Sequence, residues 1–139
     1  MLPPVEEGLV MPKVTHLVVN LQSKAGVLAK LAGILGKAGV NIEGICAVEA
    51  AGRGKIRLLV SDVATAEATL KAAKIRFGRE EGICVALENR PGALAEAAEK
   101  VAKAKVNIKC VYATTTGAGQ AAIVMAVSNL PKAVAALGA

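Results

Sequence analysis

Aromatic residues are nearly missing from this 139-residue sequence, which has no tryptophan, one phenylalanine (Phe77) and one tyrosine (Tyr112). Proteins that hold single-stranded nucleic acid stack bases on aromatic side chains beside a basic groove, and two aromatics supply no such platform. The formal charge of +6 does not restore that reading. Its basic residues are spread from Lys13 to Lys132 without a run, the pattern of solvated faces. Nucleic acid is therefore not expected as a partner.

The reactive side chains are equally sparse. The three cysteines, Cys46, Cys84 and Cys110, are odd in number and form no CxxC pair, so a disulfide framework or zinc site lacks its spacing. They read as small buried hydrophobes. The single histidine, His16, lies in an apolar stretch without an identifiable acid, base or nucleophile beside it, and catalysis needs such groups in a mutual arrangement. Gly52-Arg53-Gly54-Lys55 lacks the GxxxxGK(S/T) spacing of a phosphate loop and reads as a hairpin turn. No catalytic residue, metal or cofactor is expected, and the chain reads as a non-enzyme.

No run of about 18 apolar residues suggests a membrane span, and Glu6 and Glu7 stand where a signal peptide would be basic. A cytoplasmic protein without a membrane partner is the default expectation.

What the sequence does have is a repeat. One offset of 66 residues aligns most of the chain with itself. Leu21-Gln22-Ser23-Lys24-Ala25-Gly26-Val27-Leu28 falls on Leu87-Glu88-Asn89-Arg90-Pro91-Gly92-Ala93-Leu94, and Val40-Asn41-Ile42 falls on Val106-Asn107-Ile108. In the same register, Leu58-Leu59-Val60-Ser61 falls on Val124-Met125-Ala126-Val127.

Each copy opens with a run rich in Val and Ile (residues 14–21 and 83–87) that reads as a buried strand. A glycine-containing turn follows, then Val27, Leu28, Leu31, Ile34, Leu35 and Ala38 at helical spacing, a stripe that Gly39 ends in a left-handed conformation. The second copy keeps it through Leu94, Ala97, Ala98, Val101 and Ala104. Two strands (42–50 and 55–61) flank the turn at Gly52-Arg53-Gly54, matched by Gly117-Ala118-Gly119, and form a hairpin. Asp62 caps a second helix over 63–73, with Ser128 or Asn129 capping its counterpart near Pro131.

A strand at 74–79 completes the first copy as a split βαβ unit, an antiparallel sheet with helices on one face. The second copy ends at Ala139 without that strand. The expected organisation is α+β: a first domain over 14–79, a second over 80–139, and an N-terminal segment, 1–13, that supplies the missing strand to the second domain. The alternative is an N-terminal leader and an open sheet edge.

Glu88-Asn89-Arg90-Pro91-Gly92-Ala93-Leu94 with Val106-Asn107-Ile108, and more loosely Gln22 to Leu28 with Val40-Asn41-Ile42, resemble the ACT domain family in tandem. The resemblance implies two ferredoxin-like βαββαβ regulatory modules that bind an amino acid between paired domains. It also implies a homodimer and control of a biosynthetic enzyme. The segment from His16 to Asp62 also looks like the ACT portion of acetolactate synthase small subunits, which implies valine or a relative as effector.

Loop chemistry points the same way. Glycine at a strand-to-helix junction lets backbone approach a ligand, and the free N–H groups opening the helix suit a carboxylate. Gly26, Val27 and Leu28, and Gly92, Ala93 and Leu94, are the expected carboxylate contacts. Gln22, Asn41, Glu88, Asn89 and Asn107 are expected as acceptors for the ammonium end, and Ser23, Ile42 and Ile108 complete the expected ligand-binding residues. The competing reading makes Gly and Asn turn residues only, and a further one is a ligand-free oligomerisation module whose loops are blocked by side chains such as Arg90.

Overall fold

The strand-forming runs extend further than their sequence signal. In the computed structural model, which describes residues 10–115 and 119–138, β1 is Val10–Gln22 and is followed by α1 (Val27–Lys37), β2 (Ile42–Ala50), β3 (Arg53–Val60) and α2 (Val63–Ala72). The order then repeats as β4 (Phe77–Glu88), α3 (Ala93–Lys103), β5 (Ile108–Thr115), β6 (Gln120–Val127) and α4 (Leu130–Gly138). Residues 1–9 and the turn residues Gly117 and Ala118 lie outside the described part. The expected strand at 74–79 begins only at Phe77, and it runs without a break into the one expected at 83–87 as the single strand β4.

These elements form two tandem ferredoxin-like units, residues 15–80 and residues 81–138, with residues 10–14 of β1 grouping with the second. In the first unit the hydrogen-bonded strand order is β2-β3-β1-β4, with β4 represented by residues 77–80. In the second it is β1-β4-β6-β5, with β1 represented by residues 10–14, and Lys13 Nζ lies 2.7 Å from the Glu81 carboxylate.

Alternation along the strands sends one face to the helices. In the first unit Leu17, Val19, Ile56 and Leu58 meet Leu31 and Leu35 of α1 and Leu70 of α2. In the second, Ile83, Val85, Ile123 and Met125 meet Val101 of α3 and Ala133 of α4. Each fully buried leucine, isoleucine or methionine contributes about 1.5–3 kcal/mol, which lets the units dispense with aromatic cores.

The repeat register needs a correction. Leu17 pairs with Leu58, whereas its counterpart Ile83 pairs with Met125. The offset is therefore 66 on the first strand of each unit and 67 on the third. One extra residue sits in the β5–β6 connection, and Leu58-Leu59-Val60-Ser61 matches Met125-Ala126-Val127-Ser128. In that register Ser61 Oγ accepts from Asn41 N (3.0 Å) and Ser128 Oγ accepts from Asn107 N (2.9 Å).

Helix ends follow the expected chemistry. Gly39 ends α1 at φ +77, with Val40 N donating to Leu35 O and Gly39 N to Gly36 O, a Schellman closure. Lys105 takes the same position after α3 at φ +58. Asp62 caps α2 by accepting from Thr65 N (3.0 Å), and Asn129 caps α4 by accepting from Lys132 N (3.1 Å). The first hairpin turns on Ala51 (φ +52) and Gly52 (φ +79), leaving Arg53 and Gly54 in β3. That is the paired positive φ of a two-residue type I′ turn. No helix among the described residues is long and apolar enough to cross a membrane.

The strand face away from the helices differs in character between the two units. In the first it carries a polar cluster of buried His16 with half-buried Arg57 and Glu80: Arg57 Nε donates to Glu80 Oε1 at 2.7 Å, and His16 Nδ1 lies 4.0 Å from the same oxygen. The counterparts of His16 and Arg57 in the second unit are Gly82 and Val124, both buried. Burial pushes the His16 pKa down; Glu80 opposes that shift and Arg57 reinforces it. His16 is thus neutral at pH 7.

Two outcomes are expected. If residues 10–14 serve as the fourth strand of the second unit, deleting residues 1–12 lowers the thermal midpoint, and an unchanged midpoint rejects that role. For His16, a lowered native pKa means the unfolded chain protonates first as pH falls below about 6.5. Its contribution is complete above that pH and declines below it until the folded form also protonates. Urea midpoints measured from about pH 7.5 to about pH 5 should fall less steeply in His16→Gln than in the wild type; parallel slopes would show that His16 does not drive the change.

Candidate functional site

In each unit the chain leaves its first strand, makes a short turn and enters a helix through a left-handed glycine. Gly26 has φ +88 and Gly92 φ +87, values that a side chain resists by about 1–2 kcal/mol. Lys30 N donates to Gly26 O, and Glu96 N to Gly92 O, each at 3.0 Å. Each loop is tied to the neighbouring hairpin by one backbone bond: Ser23 N donates to Gly52 O (2.8 Å), and Asn89 N to Gly119 O (2.7 Å).

The first loop borders two clefts. One, of about 170 Å³, brings the expected Gln22, Ser23, Val27 and Leu28 together with Ala47, Val48 and Glu49 of β2. Gly26 forms the elbow at its rim, and a Cβ built there meets nothing within 4 Å. Val48 and Glu49 were not read from sequence, because only the hairpin fold carries them to the loop. Glu49 Oε1 accepts from Gly52 N at 3.2 Å. The other cleft, of about 240 Å³, lies toward the helix and is lined by Gln22, Lys24, Val27, Lys30 and Leu31, with Leu21 and Ile75.

The second loop has a counterpart of that helix-side cleft, of about 140 Å³, whose wall includes the expected Glu88 and Ala93 and adds Arg90 and Glu96. Its polar groups are already engaged. Arg90 Nε donates to Glu88 Oε2 (2.6 Å), Nη2 to Glu96 Oε2 (2.7 Å), Nη1 to Glu96 Oε1 (3.1 Å) and Nη1 to Pro91 O (3.3 Å). These bonds hold Arg90 above its usual pKa, Glu96 contributing most, and the guanidinium holds the Glu96 carboxyl below the usual range. A Cβ at Gly92 would lie 3.9 Å from Arg90 Nη1. The guanidinium thus stands in van der Waals reach of this elbow, while nothing stands within 4 Å of the first.

The remaining expected site residues stand elsewhere. Asn41 and Asn107 open β2 and β5, bonded through backbone to Ser61 and Ser128. Ile42 and Ile108 pack against the two cores. None of these four lines the clefts, nor do Asn89 and Leu94. Leu28 and Leu94, also expected on the core stripe, are about half exposed, at 49% and 48%. The stripe runs instead through Leu31 and Leu35, and through Ala93, Ala97 and Val101.

Among the described residues, no three His, Cys, Asp or Glu side chains gather as a metal ion would require. Cys84 is buried, which pushes its thiol pKa up, while Cys46 and Cys110 are half-buried, and no disulfide joins any two of the three.

Two tandem βαββ units with a glycine elbow in the same place invite comparison with known proteins. The ACT domain pair family matches residues 12–136. Among solved structures, protein BT0572 from Bacteroides thetaiotaomicron superposes with a TM-score of 0.85 at 27% identity, over 90% of this chain and 86% of that one. The ligand-free regulatory subunit of aspartate kinase from Thermus thermophilus gives 0.67 at 16% identity, over 93% of both chains. The regulatory subunit of aspartate kinase from Thermus flavus gives 0.60 at 16%, over 90% of both. No curated protein matches significantly by sequence. The match to residues 12–136 spans nearly the whole length, and this chain belongs to the ACT domain pair family.

Proposed function

We propose that this chain is a non-catalytic regulatory protein that binds an amino acid at a strand-to-helix loop. The observation that carries the reading is the first elbow. A left-handed glycine with open space over it leads into α1, whose first residues Val27 and Leu28 line a cleft together with Gln22 and Ser23. N–H groups at a helix opening favour a carboxylate. Glu49 and backbone carbonyls on the hairpin side offer acceptors for an ammonium group.

Regulation requires that the ligand bind two states of the protein with different affinity. Association with a second copy or an enzyme is the state that this surface suits. The edge strands β2 and β5 carry exposed Ile45, Val48 and Val111, and Leu28 and Leu94 project beside the loops. Apolar side chains on open strand edges favour pairing with another chain. Aspartate kinase regulatory subunits share the fold, which fits a role in controlling a biosynthetic enzyme; acetolactate synthase is another candidate partner. At the second loop the Arg90 network favours a structural role instead.

A thermal-shift screen against the twenty amino acids tests the reading. A ligand at one hundred times its dissociation constant adds about 2.7 kcal/mol to stability when it binds only the folded form. Gly26→Asp should remain folded, since Asp tolerates left-handed backbone better than most residues and the site is open. Its carboxylate should repel a ligand carboxylate and abolish the shift. No response in ligand-free wild type would end the amino-acid reading.

A further inference from the structure

The duplication provides an internal comparison that resolves the ligand's charge. The helix-side clefts of the two units are lined by equivalent positions, with an apolar wall from Leu21, Val27 and Leu31 in one and Leu87, Ala93 and Ala97 in the other. Four polar positions of the second cleft differ. Glu88, Arg90, Glu96 and Lys100 of the second unit are Gln22, Lys24, Lys30 and Ile34 in the first. In the second unit the cation is clamped between the two carboxylates, and Lys100 on the same wall brings the cleft to formal neutrality. In the first unit both carboxylates are gone, one replaced by an amide and the other by a second cation, and the cleft is wider, about 240 against 140 Å³. Among the described residues neither Lys24 nor Lys30 has a partner for its ammonium group.

A cleft lined by cations of one sign, with low-dielectric walls, concentrates anions. The second unit demonstrates what fits beside the cation of this cleft: a carboxylate. We propose that the first unit binds a small dicarboxylate, an acidic amino acid, with one carboxylate at the N-terminus of α1 and the other held by Lys24 and Lys30. The second cleft is smaller and its cation already holds Glu88 and Glu96, so each chain is expected to bind one ligand, at the first cleft. This inference rests on the amino-acid-binding reading above and adds the ligand's charge and its location.

The test is calorimetry on the full chain at low salt, with aspartate, glutamate, asparagine, glutamine, lysine, succinate and glutarate as probes. The expected result is one site per chain, an acidic amino acid bound about tenfold more tightly than its amide, and affinity that weakens as salt is added. Lys24→Gln and Lys30→Gln should each weaken binding about fivefold. Both side chains are exposed, so the unliganded thermal midpoint should stay unchanged. The triple change Gln22→Glu, Lys24→Arg, Lys30→Glu, which copies the Glu88–Arg90–Glu96 network into the first unit, should abolish binding while leaving the protein folded. If a neutral or basic amino acid binds as tightly, or the lysine variants bind like wild type, the charge assignment is overturned and amino-acid binding survives. If only succinate or glutarate binds, the cationic cleft stands and the amino-acid reading falls. If no probe binds, the acidic-ligand assignment falls, and the screen of the twenty amino acids decides the reading it rests on.

Discussion

A backbone conformation that glycine alone adopts without penalty governs both units. At φ +88 and +87, Gly26 and Gly92 turn the chain from the end of a strand directly into a helix. The turn fixes where the helix starts and therefore which of its residues meet the sheet: Leu31 and Leu35 in one unit, Ala97 and Val101 in the other. It also leaves the opening N–H groups of the helix beside the loop, where the hairpin, tied on through Ser23 or Asn89, completes a wall. Core and cleft are two consequences of one dihedral angle. A Cβ at this position would cost about as much as a buried methylene or two returns.

The two units keep this elbow and have changed the polar residues around it. On the strand face away from the helices, the first unit buries Arg57 against Glu80 with His16 alongside, where the second has Val124 and Gly82. At the loop the polarity is reversed: the second unit has the closed Arg90 network and the first has open cations. Removing one partner from a half-buried ion pair leaves the other charge uncompensated, so Arg57 and Glu80 depend on each other.

Much of this was legible in the sequence because it is local. The glycine elbow, the left-handed stop at Gly39 and the Asp62 cap each depend on residues within a few positions of one another, and each stands where the pattern placed it. The extra residue between β5 and β6 was hidden because either register lays aliphatic residues on aliphatic ones. Only the serine pair, Ser61 and Ser128, distinguishes the two. Leu28 and Leu94 matched helical spacing yet face outward, since the first turn of a helix overhangs the sheet edge and periodicity alone does not say where the core begins. The joining of the expected strands into β4 was equally hidden: a run of charged residues reads as a loop until a neighbouring strand pairs with it.

The clefts were the least legible part, and the reason bears on function. Sequence motif favoured the second loop, whose Asn89-Arg90-Pro91-Gly92 matches the family pattern better than Ser23-Lys24-Ala25-Gly26. A motif records which residues make the turn, but it does not record what those side chains bind once folded. Arg90 makes the second loop conform and also bonds Glu96, one helical turn beyond the glycine. The looser first copy lacks that counter-charge, and its helix-side cleft is the larger of the two. Agreement with a pattern and the charge left in a cleft are separate properties, set by different residues of the same loop.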